Sequence, residues 1–363
     1  VDEVPGFWVG AATVGQSVDL VAVAAKAGGW AAVLADPRSA LAAGGVPHAK
    51  VEAWMRTPPA GTLGWWTCLA HEGYPAALRE LASPPPVLFV EGAPEALQGA
   101  AIGVVGTRSC TRYGRGVARH LGAAAAARGL VVVSGLARGI DGEAHEGALR
   151  EGRTVAVLGH GLGFTSPTSH WRLRAQIVES GGAMVSSWPD DAPPRTYTFP
   201  QRNQWISGLS RAVVVVEAGE RSGASITARC ALEQGREVYA VPGPIGAPAS
   251  VGCLRLLQDG AHPLCDVDAF VQQWAVTPAR SREGWLSDLF SGLTIEALAQ
   301  RRGLSTLEVL RELTRMEIEG RVVRLPGQRY APAGRSDGPG EPRPADRPGS
   351  ALPPDGAGPR PPG

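Results

Sequence analysis

Four segments concentrate the residues whose types and spacing could do chemistry. They are GTRS at 106–109, SGLARGID at 134–141, FPQRNQWISGLS at 199–210 and EAGERSGASITA at 217–228. Each combines small residues, which let backbone N–H groups approach an anion, with a helix start whose free N–H groups and dipole favour negative charge. Arg108, Arg138, Arg202 and Arg221 add guanidinium groups suited to charge-assisted contacts with phosphate. For any one loop, turn geometry explains the glycine and solvation explains the arginine equally well. Four such loops on one sheet edge favour anion binding.

The common phosphate formulas are absent. GVVGTRS is not GxGxxG, and no acidic residue stands at the ribose position, so a dinucleotide cofactor is not expected. No GxxxxGK[ST] occurs either, so no P-loop and no cofactor is assigned. Phe199 and Trp205 flank Arg202 and Asn203, an interleaving of aromatic and basic residues that suits a single-stranded nucleic acid. Trp205 is expected beneath the loop in the core, which leaves Phe199 as the stacking candidate. An enzymatic reading starts from Asp141 and His145, four apart on one helix face, with Ser134 nearby. Asp141, however, stands where an N-cap belongs, and a local bond to His145 would account for both without catalysis. Glu217, at a strand end, invites the same caution. No catalytic residue is assigned. The remaining histidines show no metal spacing, and the five cysteines form no CxxC pair, so no metal site is expected and a reduced, cytoplasmic compartment is.

Stretches to position these loops are easily found. Val-rich strands at 101–106, 130–135, 154–159, 183–188, 212–219 and 237–243 alternate with helix-length segments at 114–128, 141–150, 169–180 and 224–235. That pattern predicts a doubly wound, mostly parallel, Rossmann-like sheet whose ligands bind at the strands' carboxyl ends. Residues 1–63 alternate Ala-rich apolar runs with Gly and Pro, which predicts a small bundle of short helices. Between 64 and 92 lie a strand, a short helix after Tyr74-Pro75, and a Pro84-Pro85-Pro86 spacer before a second strand, entering an α/β domain that spans 64–275. Residues 283–331 predict a winged helix, with a capping box at Ser305–Glu308, a helix end at Gly320 and a hairpin turn at Pro326-Gly327. Its second helix carries Glu308, Glu312, Glu317 and Glu319 against Arg311 and Arg315, which disfavours duplex phosphates. The Pro/Gly-rich stretch 332–363 is expected to be disordered. The chain's 363 residues carry a net charge of only +1, so any basic surface must be local. No stretch suggests a membrane span or signal peptide.

In order and spacing, GVVGTRSCTRYGRGVARHL, VVVSGLARGIDGEAHEGAL, TVAVLGHGLG, FPQRNQWISGLS and VVVVEAGERSGASITARCALEQGREVYAVPG resemble the DNA-processing protein A (Smf) family, with GYPAALRELASPPPVLFVEG as its entry segment. The resemblance implies a non-enzymatic protein that binds single-stranded DNA and loads the RecA recombinase onto it in DNA uptake and natural transformation, acting as a homodimer. It also implies which residues touch DNA: Gly106, Thr107 and Arg108; Ser134, Gly135, Arg138 and Gly139; Phe199, Arg202 and Asn203; and Ser222 and Gly223. Two stretches depart from the family pattern. Gln204 stands where FPxRNR has its second arginine, and FTSPTSHWRL replaces a YPxxN-like stretch, with Trp171 and Arg172 as substitutes for its contacts. The alternative is a phosphoribohydrolase-like enzyme on a similar scaffold. The PGGxGTxxE pattern of such enzymes is missing from EAGERSGASITARCALE.

Overall fold

A computed structural model describes residues 3–15, 17–275, 294–302, 306–318, 322–325 and 329–332. The chain divides into two units, Val1–Pro278 and Ala279–Gly363.

The first unit opens with β1 (Glu3–Val4) and five short helices: α1 (Gly6–Thr13), α2 (Leu20–Ala27), α3 (Trp30–Ala35), α4 (Pro37–Ala43) and α5 (His48–Met55). Strand β1 pairs antiparallel with β2 (Ala60–Gly61), which closes the bundle. Trp54 is its centre. The indole is fully buried, stacks on Phe7 with centroids 5.5 Å apart, and donates its N–H to the Phe7 carbonyl at 2.8 Å. The predicted bundle of short helices is thus present. Its core is continuous with the α/β core, since Trp8, Leu41 and Trp54 join one apolar cluster with Val133, Val213 and Trp205.

The sheet contains β3 (Trp65–Cys68), β4 (Val87–Gly92), β5 (Ala101–Val105), β6 (Val131–Ser134), β7 (Thr154–Val157), β8 (Ala183–Ser186), β9 (Ala212–Val215), β10 (Glu237–Ala240) and β11 (His262–Pro263). The spatial order is β11-β10-β9-β5-β6-β7-β8-β4-β3. Pairs from β11 to β8 are parallel; β4, which follows the triple proline, pairs antiparallel with β8, and β3 antiparallel with β4. Strand alternation sorts side chains between two faces: Val131, Val133, Val213 and Val215 enter one core, and Ile102, Val104, Val132 and Val214 the other.

Helix α6 (Ala76–Arg79) follows Pro75, as expected. Helices α7 (Arg112–Ala127) and α8 (Ile140–Ala148) cover one face, packing Leu121, Ala125, Ile140 and Ala144 onto it. Helix α9 (Trp171–Glu179) precedes β8. Helices α10 (Thr198–Leu209) and α11 (Gly223–Glu233) cover the other face through Trp205, Ile206, Ala224 and Ala228. Helices α12 (Val251–Gln258) and α13 (Val267–Trp274) complete the unit.

One reading is corrected. FPQRNQWISGLS is a helix, not a loop. Trp205, Ile206 and Leu209 share its buried face, and Pro200 lies in the first turn, where its missing N–H has no intrahelical partner to lose.

In the second unit, α14 (Ile295–Arg302), α15 (Thr306–Ile318) and the antiparallel strands β12 (Val322–Leu325) and β13 (Arg329–Pro332) form the expected helix-helix-wing. Val309, Leu313 and Met316, spaced i, i+4, i+7, pack against Leu298, Val322 and Tyr330. The expected features at Ser305, Gly320 and Pro326-Gly327, and the 333–363 part of the expected disordered tail, lie outside the described residues. No helix among the described residues is long and apolar enough to cross a membrane.

Candidate nucleic-acid interface

Strand β5 has its next strand, β6, on one side and β9 on the other, so the connections leaving β5 and β9 diverge at their carboxyl ends. Open α/β sheets form their ligand crevice at such a point. An open groove of about 560 Å³ lies there. The loop after β5 supplies Gly106, Thr107 and Arg108; α10 supplies Phe199, Pro200, Arg202 and Asn203; the loop after β9 and the start of α11 supply Arg221, Ser222 and Gly223. Ala137 and Asp141 reach it from the segment after β6. Three of the four anticipated segments therefore form its walls directly, and the fourth contributes at its border.

The charged lining consists of Arg108, Arg202, Arg221 and one carboxylate, Asp141, so the groove is positive although the chain is nearly neutral. Arg108 and Arg221 are exposed, with no ion-pair partner among the described residues. The Arg108 guanidinium lies 5.7 Å from the centroid of the half-buried Phe199 ring, which places a cation and an aromatic face side by side at the groove wall. Ser222 caps α11 by accepting from the Ala224 N–H at 3.3 Å. Asn203 donates to the Gly223 carbonyl at 3.3 Å, tying α10 to that helix start.

Arg202 has a different part from the one expected. It is 4 % exposed and donates to the carbonyls of Gly135, at 2.8 Å, and Val157, so it clips together the ends of β6 and β7 under the groove floor. Burial lowers its pKa to about 10, against the opposing pull of Asp141, and it remains charged at neutral pH. Ser134 and Gly135 also stand behind the groove rather than on it. The fully buried Ser134 hydroxyl donates to the Val104 carbonyl at 2.6 Å, and a Cβ at residue 135 would come within 2.6 Å of the Arg202 guanidinium. Gly139 is the N-cap of α8, with φ +76° and its Cα facing the Thr107 carbonyl so closely that a side chain would collide with it. Arg138 is exposed beside the groove without lining it.

The acidic candidates serve the backbone. Asp141 is not the N-cap of α8; it lies in the first turn and reaches back to accept from the N–H groups of Gly135 (3.1 Å) and Ala137 (3.4 Å). Burial raises its pKa, which Arg202 and those N–H groups counter. His145 does not bond to Asp141. Its Nδ1 lies 2.7 Å from the Thr154 hydroxyl, which itself donates to the Val132 carbonyl, so Nδ1 carries the hydrogen. Burial lowers the His145 pKa to about 3, and the ring is neutral. Glu217 accepts from the Thr111 N–H (2.9 Å) and hydroxyl (2.5 Å) at the start of α7. In a dinucleotide-binding fold the pyrophosphate sits at this helix N-terminus; here a carboxylate of the protein occupies it. Trp205, as expected, is core, packed 5.0 Å from Trp188.

The turn after β7 presents the two residues expected to substitute for the contacts of the departing FTSPTSHWRL stretch. Trp171, 59 % exposed, carries the Arg172 guanidinium 5.0 Å from its ring centroid at the start of α9. An adjacent aromatic and basic residue, Trp171-Arg172, was the signal in the sequence.

Fold and groove together define a Rossmann-like α/β protein with an open, positively lined crevice at its switch point, joined to a winged helix. A family model described as DNA recombination-mediator protein A matches residues 65–275, and one described as DprA winged helix domain matches 290–328. The chain belongs to the DNA recombination-mediator protein A family. It is similar to Protein Smf of Escherichia coli, 42 % identical over 277 residues that cover 70 % of this chain and 74 % of that protein. It is also similar to DNA processing protein DprA of Bacillus subtilis, at 40 % over 207 residues covering 56 % and 69 %. The crystal structure of DNA processing protein A from Streptococcus pneumoniae aligns with TM-score 0.64 at 29 % identity, covering 74 % of this chain and 95 % of that one. A Helicobacter pylori DNA processing protein A, whose structure concerns its single-stranded DNA binding mode, aligns with TM-score 0.53 at 27 % identity, covering 58 % and 96 %.

Proposed function

We propose that the groove binds single-stranded DNA, that the protein acts in DNA uptake and recombination by delivering RecA to the bound strand, and that it does so as a homodimer in the cytoplasm without catalysing a reaction. The observation that carries the DNA reading is the pairing of exposed arginines, without ion-pair partners among the described residues, with an aromatic face along one groove. Arg108 and Arg221 offer charge to a phosphate backbone while Phe199 offers a ring to a base. The relative from Helicobacter pylori, described by its single-stranded DNA binding mode, supports the same reading. A non-enzymatic role is supported by the commitment of Asp141, Glu217 and His145 to backbone and hydroxyl partners, which leaves none of them placed as a general base.

The test is binding to labelled oligothymidine and to duplex of equal length across a salt series. The wild type is expected to prefer the single strand, and the Arg108→Ala/Arg221→Ala variant to bind more weakly. Its slope of log K against log salt should be shallower by about 0.7 for each phosphate that the variant no longer neutralises. Equal binding of duplex and single strand, or an unchanged slope in the variant, would remove the reading.

A further inference from the structure

Leu136 is the one non-glycine residue with positive φ among the described residues, at +56°, and its side chain is fully buried. A left-handed backbone disfavours a residue with a Cβ, and persists where the surroundings over-determine it. Side chains from three elements do so here. Asp141 of α8 accepts from the N–H groups on both sides of Leu136, and Arg202 of α10 donates to the Gly135 carbonyl. The third is His170, in the 3-10 turn Thr168–His170 before α9, whose Nδ1 lies 3.0 Å from the Leu136 carbonyl oxygen. A carbonyl only accepts, so Nδ1 carries the hydrogen in the neutral and the charged ring alike. The ring is wedged against α8, where a Cβ on Gly142 would come within 2.9 Å of its Cε1. Two residues beyond Leu136 stands Arg138, exposed and without an ion-pair partner among the described residues.

We infer that His170 is a positioning residue for the bound strand: by holding the Leu136 carbonyl it sets the bend of residues 135–139 and so aims Arg138 at a DNA phosphate, without touching DNA itself. The inference rests on the single-stranded DNA reading above. Asp141 and Arg202 are buried charges whose removal would disturb the fold, whereas His170 is half-buried and holds the bend by one neutral-capable bond. Its contribution can therefore be isolated.

The experiment uses the full chain with labelled oligothymidine and a thermal melt of each variant. His170→Phe keeps a ring without a donor, His170→Ala removes both, and His170→Asn restores an N–H. Loss of the donor is expected to weaken binding on the order of fivefold, the scale of one net hydrogen bond, and to lower the melting temperature by no more than about 2–4 °C. His170→Asn should recover most of the loss. His170→Phe/Arg138→Ala should bind no worse than the weaker single variant, because both changes remove the same interaction. Wild-type affinity in both donor-less variants, additive losses in the double variant, or a well-folded His170→Asn protein without recovery would each overturn the inference while leaving the groove reading intact. Failure of the wild type to bind oligothymidine would instead overturn that reading, and the inference with it.

Discussion

Arg202 and Arg108 carry the same side chain into one groove and do different work. Arg202 is consumed by two backbone carbonyls under the floor, and Arg108 is exposed against Phe199 with no ion-pair partner among the described residues. Replacing Arg202 by Ala should therefore lower stability, by about 3 kcal/mol or more, because Asp141 would be left as a buried charge without its countercharge. Urea unfolding measures this, and the loss should exceed that of Arg108→Ala, which removes only exposed charge. His145 makes a pH prediction. Its pKa is about 6.5 in the unfolded chain and about 3 in the fold, so below pH 6.5 the unfolded state takes up a proton that the native state refuses. Its contribution to stability is complete above pH 6.5 and falls with pH toward 3, by about 3 kcal/mol at pH 4. A His145→Gln variant should lose correspondingly less stability between pH 7 and 4; an identical acid profile would contradict the burial of a neutral ring.

At the scale of elements, the groove exists because helix starts and strand ends meet at the β5/β9 divergence, each capped by its own residue: Thr111 for α7, Gly139 for α8 and Ser222 for α11. The start of α9 belongs to the same edge, after β7, and presents Trp171 and Arg172 outward. Trp171→Ala should change stability by no more than about 0.5 kcal/mol, since the side chain is exposed. If bases stack there, binding of oligothymidine should weaken by about 1–3 kcal/mol, read by fluorescence anisotropy beside the melt. The strands and the helices between them were legible in sequence to within a few residues, because Val-rich runs alternating with helix-length segments have one compact solution. The α10 segment was not. Its Phe-Pro start reads as loop, and only the buried row of Trp205, Ile206 and Leu209 against the sheet shows why it is helical.

For the whole molecule, the groove lies entirely within the first unit, and the second has its own small core around Val309, Leu313 and Tyr330. A chain ending at Pro278 should therefore keep its affinity for oligothymidine essentially unchanged, and loss of binding on that truncation would place part of the interface elsewhere. From the acidic sequence of its second helix, the winged unit is expected to add little to duplex affinity, which titration of duplex DNA with the full chain and with the chain ending at Pro278 would check. What the sequence by itself determined is the parallel α/β framework, the four segments gathered at its carboxyl edge and the family they resemble, since periodicity and local glycine, arginine and aromatic patterns are properties of the chain before it folds. Only the tertiary structure decided which residues line the groove and which serve the backbone beneath it. Arg202, Ser134 and Gly135 turn inward, and Asp141, His145 and Glu217 satisfy buried donors and hydroxyls. The physical reason is that a polar side chain at a strand end must serve either solvent or the backbone groups buried beside it, and that choice depends on neighbours distant in the chain.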